Sequence, residues 1–561
     1  MKGNVVKAFG MCRLVATTVM VAAAALYPGV GSAAGTVAIA SPQVIRFDGG
    51  GIDRAGAITV DGAGNIYVAG ASTTPNTDIQ FTVVKLSSQG DLVWRATYSG
   101  ARGGTLGVVN AVAVDAAGNV FAAGLLSDAG DVDALVVKFG SDGSERWALR
   151  YTGPGGGFDH FTRVAVDRSG AVYVGGTSFG TGNDWVTQRI GSDGTVQWTQ
   201  RHSGPGSADD EFGDMTLGPN GDLIVAGTAK NTGDGLTNDI DIVSYSPAGG
   251  INWQRQWTDT SISHELVRDL DIDASGRITV TGSTARNASP EFGIPTPITL
   301  RYNASGTLLQ AIRAGGDAVD VAANGDAYLA GFFFGTDSPS EVTKYDAAGN
   351  RVWATPLTLN TNEFLFINGI VADSLGLVTI AGTVSNPTIP SVDYLTIRYA
   401  ADGRELWRHQ FNGTGDGDDR VAGLAIDSTD AVLVTGTSWG NYVSSGGTDN
   451  DFLTLKFPAG TTPTQDPPAA PSQLTASSPS RSQIQLNWRD NSGLENGFRI
   501  ERCQGSGCAN FTQVAIVGSN ATTYLDNGLT RNTSYTYRVR AFNDAGNSPF
   551  SNAATVRTRR S

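Results

Sequence analysis

Apolar and polar residues alternate with period two in short runs between Asp53 and Phe457, and the runs recur as a phrase of about fifty residues. The most regular run ends in glycine each time: Ile66-Tyr67-Val68-Ala69-Gly70, Val120-Phe121-Ala122-Ala123-Gly124, Val172-Tyr173-Val174-Gly175-Gly176, Leu223-Ile224-Val225-Ala226-Gly227 and Ile278-Thr279-Val280-Thr281-Gly282. With Gly331, Gly382 and Gly436, the closing glycines mark eight units spaced 49 to 55 residues apart. Each unit holds four such runs separated by Gly, Asn, Asp and Ser, which predicts four antiparallel strands joined by tight turns. No stretch has the 3.6-residue period of a helix.

A turn of the form Asp-x-x-Gly precedes the glycine-ended run at Asp61, Asp115, Asp167, Asp273 and Asp373, and Asp427 is followed by Asp430 in place of the Gly. An Asp there bonds its own backbone, and Gly accepts positive φ, so these aspartates read as turn chemistry. The fourth run carries Trp at 94, 147, 198, 253, 353 and 407, which reads as an inter-sheet packing wedge. The eighth unit stops after its third strand, Phe452 to Phe457, while an unassigned strand, residues 43–50, stands at the start with Val44 assigned to the Trp slot. Joining the two would close an all-β, eight-bladed β-propeller of four-stranded blades and hide most strand edges, with seven blades and an irregular sheet as the fallback.

The stretches AVAVDAAGNVFAAG (111–124), VAVDRSGAVYVGGTS (164–178) and DYLTIRYAADGRELWRHQFNGTGDGDD (393–419) resemble the bacterial secreted β-propeller repeat family known as SBBP. The resemblance covers about 420 residues and thins in repeats five and six, where Gln310 replaces the Trp and Ala322 the turn Asp. It implies the propeller fold and an extracellular setting, and no reaction.

Residues 1–34 run from Lys2, Lys7 and Arg13 through an apolar stretch at 14–26 to small residues at 31–34, the layout of a secretory signal peptide cut after Ala33 or Ala34. The expected domains are this leader, the propeller at 35–460, a Pro-rich linker at 461–470 and a second all-β module at 471–558. That module resembles a fibronectin type III domain through residues 484–488 with the core Trp488, residues 498–502, and the run 529–541 with Tyr535 at the corner position. Cys503 and Cys508, alone after Cys12 leaves with the leader, are expected to form a local disulfide.

Loss of Lys2, Lys7 and Arg13 takes the formal charge from -14 to about -17, which argues against nucleic acid and permits cations or basic partners. No segment is apolar for long enough to span a bilayer. Gly176-Thr177-Ser178-Phe179-Gly180 and Gly436-Thr437-Ser438-Trp439-Gly440 match the serine-nucleophile pattern but close strands with no following helix, so catalysis is not expected there. Residues 271–276 imitate an EF-hand start without its closing Glu, and His160, His202, His264 and His409 read as scattered surface residues.

One constellation stands out. Eight residues before the turn position lie Asp53, Asp159, Asp210, Glu265 and Asp419, and a second acid opens the third strand at Asp133, Asp184, Asp239, Asp393 and Asp451. In a four-stranded blade both sets emerge on one face, forming an acidic propeller mouth for a ligand. Ca²⁺ is the cation such a mouth would take; the competing reading is that each acid caps its own loop. The function expected is a secreted, monomeric, non-catalytic binding, adhesion or scaffold protein for an extracellular protein or polysaccharide, with loops such as Ser72–Thr77 and Ser283–Thr296 making contact. The alternative is a polysaccharide hydrolase or lyase with a desolvated carboxylate pair in the channel.

Overall fold

A computed structural model of the chain describes residues 41–560 apart from 74–78, 101–105, 129–130, 181, 205–208, 231–237, 260–262, 287–295, 333–339, 361–362, 386–390, 414–416, 440–449, 459–467, 492–494, 496, 519–520 and 544–545. The expected signal peptide, most of the linker and parts of the loops Ser72–Thr77 and Ser283–Thr296 lie outside the described residues. All described secondary structure is β, with no helix, and the described chain divides near Gly460 into two compact units.

The first unit contains eight four-stranded antiparallel sheets, numbered here in chain order. Their first strands are Asp53–Val60, Leu106–Val114, His160–Val166, Glu211–Leu217, Ser263–Ile272, Ala318–Val321, Phe364–Ala372 and Arg420–Ile426. Within each sheet the strands follow in sequence order, as tight turns require. Sheet 8 supplies only three from its own repeat, and its fourth is the amino-terminal strand Gln43–Phe47, paired with Asn450–Phe457. Each first strand lies beside the first strand of the next sheet, and that of sheet 8 lies beside that of sheet 1. Single parallel bridges, Ile79 to Leu106 and Asn238 to His264, join sheets 1 and 2 and sheets 4 and 5. The bridge from Asn450 to Ile52 does the same between sheets 8 and 1.

The middle strands are buried on both faces, which explains their nearly unbroken apolar runs, such as Val172–Phe179. Cores form between sheets. Tyr67, Phe81 and Val83 of sheet 1 pack on Val109, Val120 and Val137 of sheet 2, and Ile45, Leu433 and Phe452 of sheet 8 pack on Ala55, Ile66 and Val84 of sheet 1. A full burial of each such side chain contributes about 1.5–3 kcal/mol, and these seams bury the apolar faces that the sheets present to one another.

A polar clasp accompanies seven of the eight apolar seams; at the seam between sheets 7 and 8, Trp407 is buried with its indole N–H unpaired and stacks on Phe457 instead. Trp94, Trp147, Trp198, Trp253 and Trp353 lie over the glycine of the next sheet's last turn and donate their indole N–H to a carbonyl of that turn: Ser141, Ser192, Pro247, Ala304 and Ala401, at 2.9–3.2 Å. Gly249 shows why the turn residue is glycine: its φ is +87°, and a Cβ would stand 2.8 Å from the Trp198 ring. Where Gln310 replaces Trp, its amide donates to the Gly349 carbonyl in the same manner. At the seam between sheets 8 and 1 the slot holds Gln43, not Val44: Gln43 faces Lys456 as Trp94 faces Lys85, and its amide reaches the Gln89 carbonyl. The discrepancy is one residue of register, because Gly49, not Gly50, corresponds to Gly100.

The second unit is a β-sandwich of a three-stranded and a five-stranded sheet around Trp488, Phe498, Ile500, Tyr537 and Val539. Thr530 N–H donates to the Tyr535 hydroxyl at 3.1 Å, fixing the corner, and Cys503 and Cys508 are bridged at the end of strand Gly497–Gln504.

Candidate functional site

The turn aspartates are fully engaged locally. Asp61 accepts from the N–H groups of Ala63 and Asn65 at 2.9 Å each, and Asp115, Asp167, Asp273, Asp373 and Asp427 repeat the same pair of bonds two and four residues ahead. At Asp61 partial burial works upward, but the donors outweigh it and hold the carboxyl below its ordinary range. Asp430, at φ +64°, takes the place of the turn glycine.

Acids of the two sets stand in pairs at the junctions between sheets. An acid opening the third strand of one sheet lies across the junction from an acid entering the first strand of the next. The sheets carrying Asp133, Asp184, Asp239, Asp393 and Asp451 are followed without exception by those carrying Asp159, Asp210, Glu265, Asp419 and Asp53. This co-occurrence is present in the sequence, and only reading consecutive repeats together reveals it.

Each first-strand acid is buried and occupied with backbone. Asp159 accepts from Gly153 N–H at 2.7 Å and Phe179 N–H at 2.9 Å, while its own N–H reaches the Val132 carbonyl of the preceding sheet at 2.8 Å. Asp210 takes Gly204 and Lys230, Asp419 takes Gly413 and Trp439, Asp53 takes Gly49 and the Ser72 hydroxyl, and Glu265 takes Asp259 N–H and the Thr284 hydroxyl. The third-strand acids are met by fourth-strand side chains. Arg46 pairs with Asp451 at 2.5 Å, Arg150 with Asp133 at 3.5 Å and Arg201 with Asp184 at 2.5 Å, while Gln410 donates to Asp393 at 2.7 Å. Thr258 bonds Asp239. The arrangement is a strut between sheets. The serines of the two nucleophile-like patterns belong to it: Ser178 and Ser438 are fully buried, and Arg201 donates to Ser178 at 2.5 Å.

A second group of carboxylates, which the repeat gives no means of finding, lies on neighbouring first strands. Asp214 pairs with Arg163 at 2.5 Å and accepts from Leu270 N–H at 3.2 Å, and Asp269, Asp271 and Asp320 accept from Val319, Val321 and Ala372 N–H of the following strand at 2.7–2.8 Å. Burial pushes Asp271 up to about 6 and Asp320 up to about 7, and burial together with Asp214 raises Asp269 well above its ordinary range. All three side chains are nonetheless partly accessible.

The histidines are not surface residues. His202 and His264 are buried; His202 stacks on Trp185 and shares a 2.9 Å bond with Asp241. Burial lowers His160 to about 4 and also lowers His409. The residues around them form packed sheet interiors, which explains why alternation alone misplaces a polar ring.

Comparison with known proteins bears on the second unit. The fibronectin type III domain family model matches residues 469–557, so this unit is a fibronectin type III domain. Contactin-3 of Homo sapiens is 33% identical over 101 residues, 17% of this chain and 10% of that protein. An alpha-amylase of Niallia circulans is 36% identical over 101 residues, 17% of this chain and 7% of the enzyme. The chain thus spans a tenth or less of the length of these curated relatives. Among solved structures, a fibronectin type III-like protein from Clostridium thermocellum is 27% identical, covering 16% of this chain and 93% of that one at a TM-score of 0.15. The protein FN3tt is 23% identical, covering 17% and 97% at a TM-score of 0.15.

Proposed function

We propose that the protein is a non-catalytic binding, adhesion or scaffold protein acting outside the cytoplasm, built from an eight-bladed β-propeller of SBBP type and a fibronectin type III domain. Three features support the propeller. Neighbouring first strands run from sheet 1 to sheet 8 and back to sheet 1, the amino-terminal strand completes sheet 8, and the seam between sheets 8 and 1 carries the hydrogen-bonded clasp found at six other seams. The bridged Cys503–Cys508 and the basic-then-apolar opening of the chain support export.

The observation that carries the binding role is the pairing of acids at five junctions. Each pair joins the loop entering strand one of a sheet to the loop between strands two and three of its predecessor, so those loops emerge together along one face, held by buried struts. A rigid frame presenting many loops on one side suits an extended partner, an extracellular protein or polysaccharide. Screening the mature chain against a glycan array, with and without chelator, tests this: retention without turnover is expected, and release of product would overturn it.

One observation favours a second reading as a polysaccharide hydrolase or lyase. Asp214 and Asp269 form a desolvated carboxyl pair outside the repeat pattern, although their shared hydrogen bond holds them closer than the roughly 5 Å or more that separates the two carboxyls of a glycosidase. Against it, Asp214, Asp269, Asp271 and Asp320 each hold a backbone N–H of the next strand, the work of a ladder between sheets. Asp269→Asn distinguishes the readings: loss of a measured polysaccharide-cleaving activity with the fold intact would establish the enzyme.

A further inference from the structure

The junction of sheets 8 and 1 is set apart from the other four acid junctions by the residue after the fourth strand. Those four place a neutral group there: Thr152, Ser203, Thr258 and Asn412. Thr152 donates its hydroxyl to Asp133 Oδ1 at 2.7 Å while Arg150 takes Oδ2, and Thr258 serves Asp239. At the seam between sheets 8 and 1 the position is Asp48, which as a carboxylate has no proton to give. Arg46 takes Asp451 Oδ2 at 2.5 Å, so by correspondence with Asp133 the other oxygen, Oδ1, faces Asp48. That oxygen is buried with no hydrogen-bond partner, on a residue 5% exposed.

One oxygen from each of Asp48, Asp53 and Asp451 lies within 4.8 Å of the others. Oxygens sharing one calcium ion at 2.3–2.6 Å stand no more than about 5 Å apart, so the three fit a single coordination sphere. Two arginines border the group: Arg46 on Asp451, and Arg95, which donates to Ser72 beside Asp53 at 3.1 Å. Three carboxylates against two guanidiniums leave the cluster short of positive charge.

We propose that Asp48, Asp53 and Asp451 bind a divalent cation, Ca²⁺ by ligand type, which takes the place of the hydroxyl donor found at the junctions of Asp133 and Asp239 and fastens the amino-terminal strand to sheet 8. Oxygen-only ligands favour calcium over zinc, and a site with one ligand on an exposed segment suits the flexible coordination of calcium better than the strict octahedron of magnesium. The site requires the pairing of Gln43–Phe47 with Asn450–Phe457 and the bridge of Asn450 to Ile52, and stands apart from the proposed partner.

The test is calorimetric titration of the metal-stripped mature chain with CaCl₂, and with MgCl₂ for comparison, alongside thermal melts in calcium and in EDTA. Wild type is expected to take up one Ca²⁺ per chain and to melt higher in calcium, since a ligand bound only by the folded state stabilises it. Asp48→Thr installs the group found at Thr152 and Thr258. This variant is expected to bind calcium at least about tenfold more weakly and to lose the calcium-induced shift, while melting in EDTA no lower than wild type. Asp48→Asn, the conservative change at an exposed position, should behave alike. No calcium binding by wild type up to about 10 mM, or an unchanged calcium response in both variants, would overturn the assignment.

Discussion

Replacing Asp159 with Ala separates a strut from a ligand-binding acid. Asp159 is fully buried and accepts from Gly153 and Phe179 N–H; truncation leaves both donors without a partner in a space too enclosed for bulk water. Each stranded donor costs about 1–3 kcal/mol, giving a loss of roughly 2–6 kcal/mol for the pair. Unfolding entropy near 2.1 cal/mol/K per residue, over the 420 residues of Ser41–Gly460, comes to about 0.9 kcal/mol/K. If the unit melts as one, its Tm should fall by about 2–7 °C in differential scanning calorimetry. Asp159→Asn, which keeps one acceptor, should lose about half as much. A melting temperature within 1 °C of wild type, as about 1 kcal/mol or less would give, combined with abolished retention of a partner, would refute the strut and restore the acidic mouth.

Further outcomes follow from the seams and the buried acids. Trp198→Ala removes the wedge over Gly249 and its bond to Pro247, and should destabilise by about 3–5 kcal/mol in chemical denaturation; a change below about 0.5 kcal/mol would contradict the clasp. Asp53, Asp271 and Asp320 titrate higher in the folded than in the unfolded chain, so the folded state holds the extra protons between about pH 4 and pH 7, and their contribution to stability diminishes as pH rises through that window. Asp320→Asn should flatten that slope in melts recorded across the window, and an unchanged slope would remove Asp320 as its source. The lowered turn acids Asp61, Asp167, Asp273 and Asp427 act oppositely, their stabilisation vanishing as pH falls through their depressed values. Reducing Cys503–Cys508, which closes a short loop, should cost the fibronectin domain about 2 kcal/mol, and a loss above about 4 kcal/mol would show that the bridge does more than close the loop.

The strand grammar was legible because each position answers to one local cause. Glycine at a positive-φ turn, Asp bonding the backbone ahead of it, and Trp over the next sheet's turn all leave a periodic trace. The Trp slot at the amino-terminal strand was misplaced by one residue because Gln43 keeps the hydrogen bond of Trp94 without its bulk, so no hydrophobic mark survives. The two acid sets were visible as types but not as partners, since pairing spans consecutive repeats while alignment compares equivalent positions. Asp214, Asp269, Asp271 and Asp320 escaped altogether: they occur in three sheets only, and what they bond is the backbone of a neighbour, which carries no sequence signature. Buried His202 was hidden in the same way, its partner Asp241 lying in the next sheet.

Closure of the first unit rests on the strand Gln43–Phe47 completing sheet 8. Ile45 and Thr454 are directly opposed across that pairing and both are buried. The mature chain carrying Ile45→Cys and Thr454→Cys should therefore, under mild oxidation, yield a monomer whose peptide map contains a disulfide between positions 45 and 454. Free thiols at both positions, or a bridge formed only between two molecules, would contradict the closure.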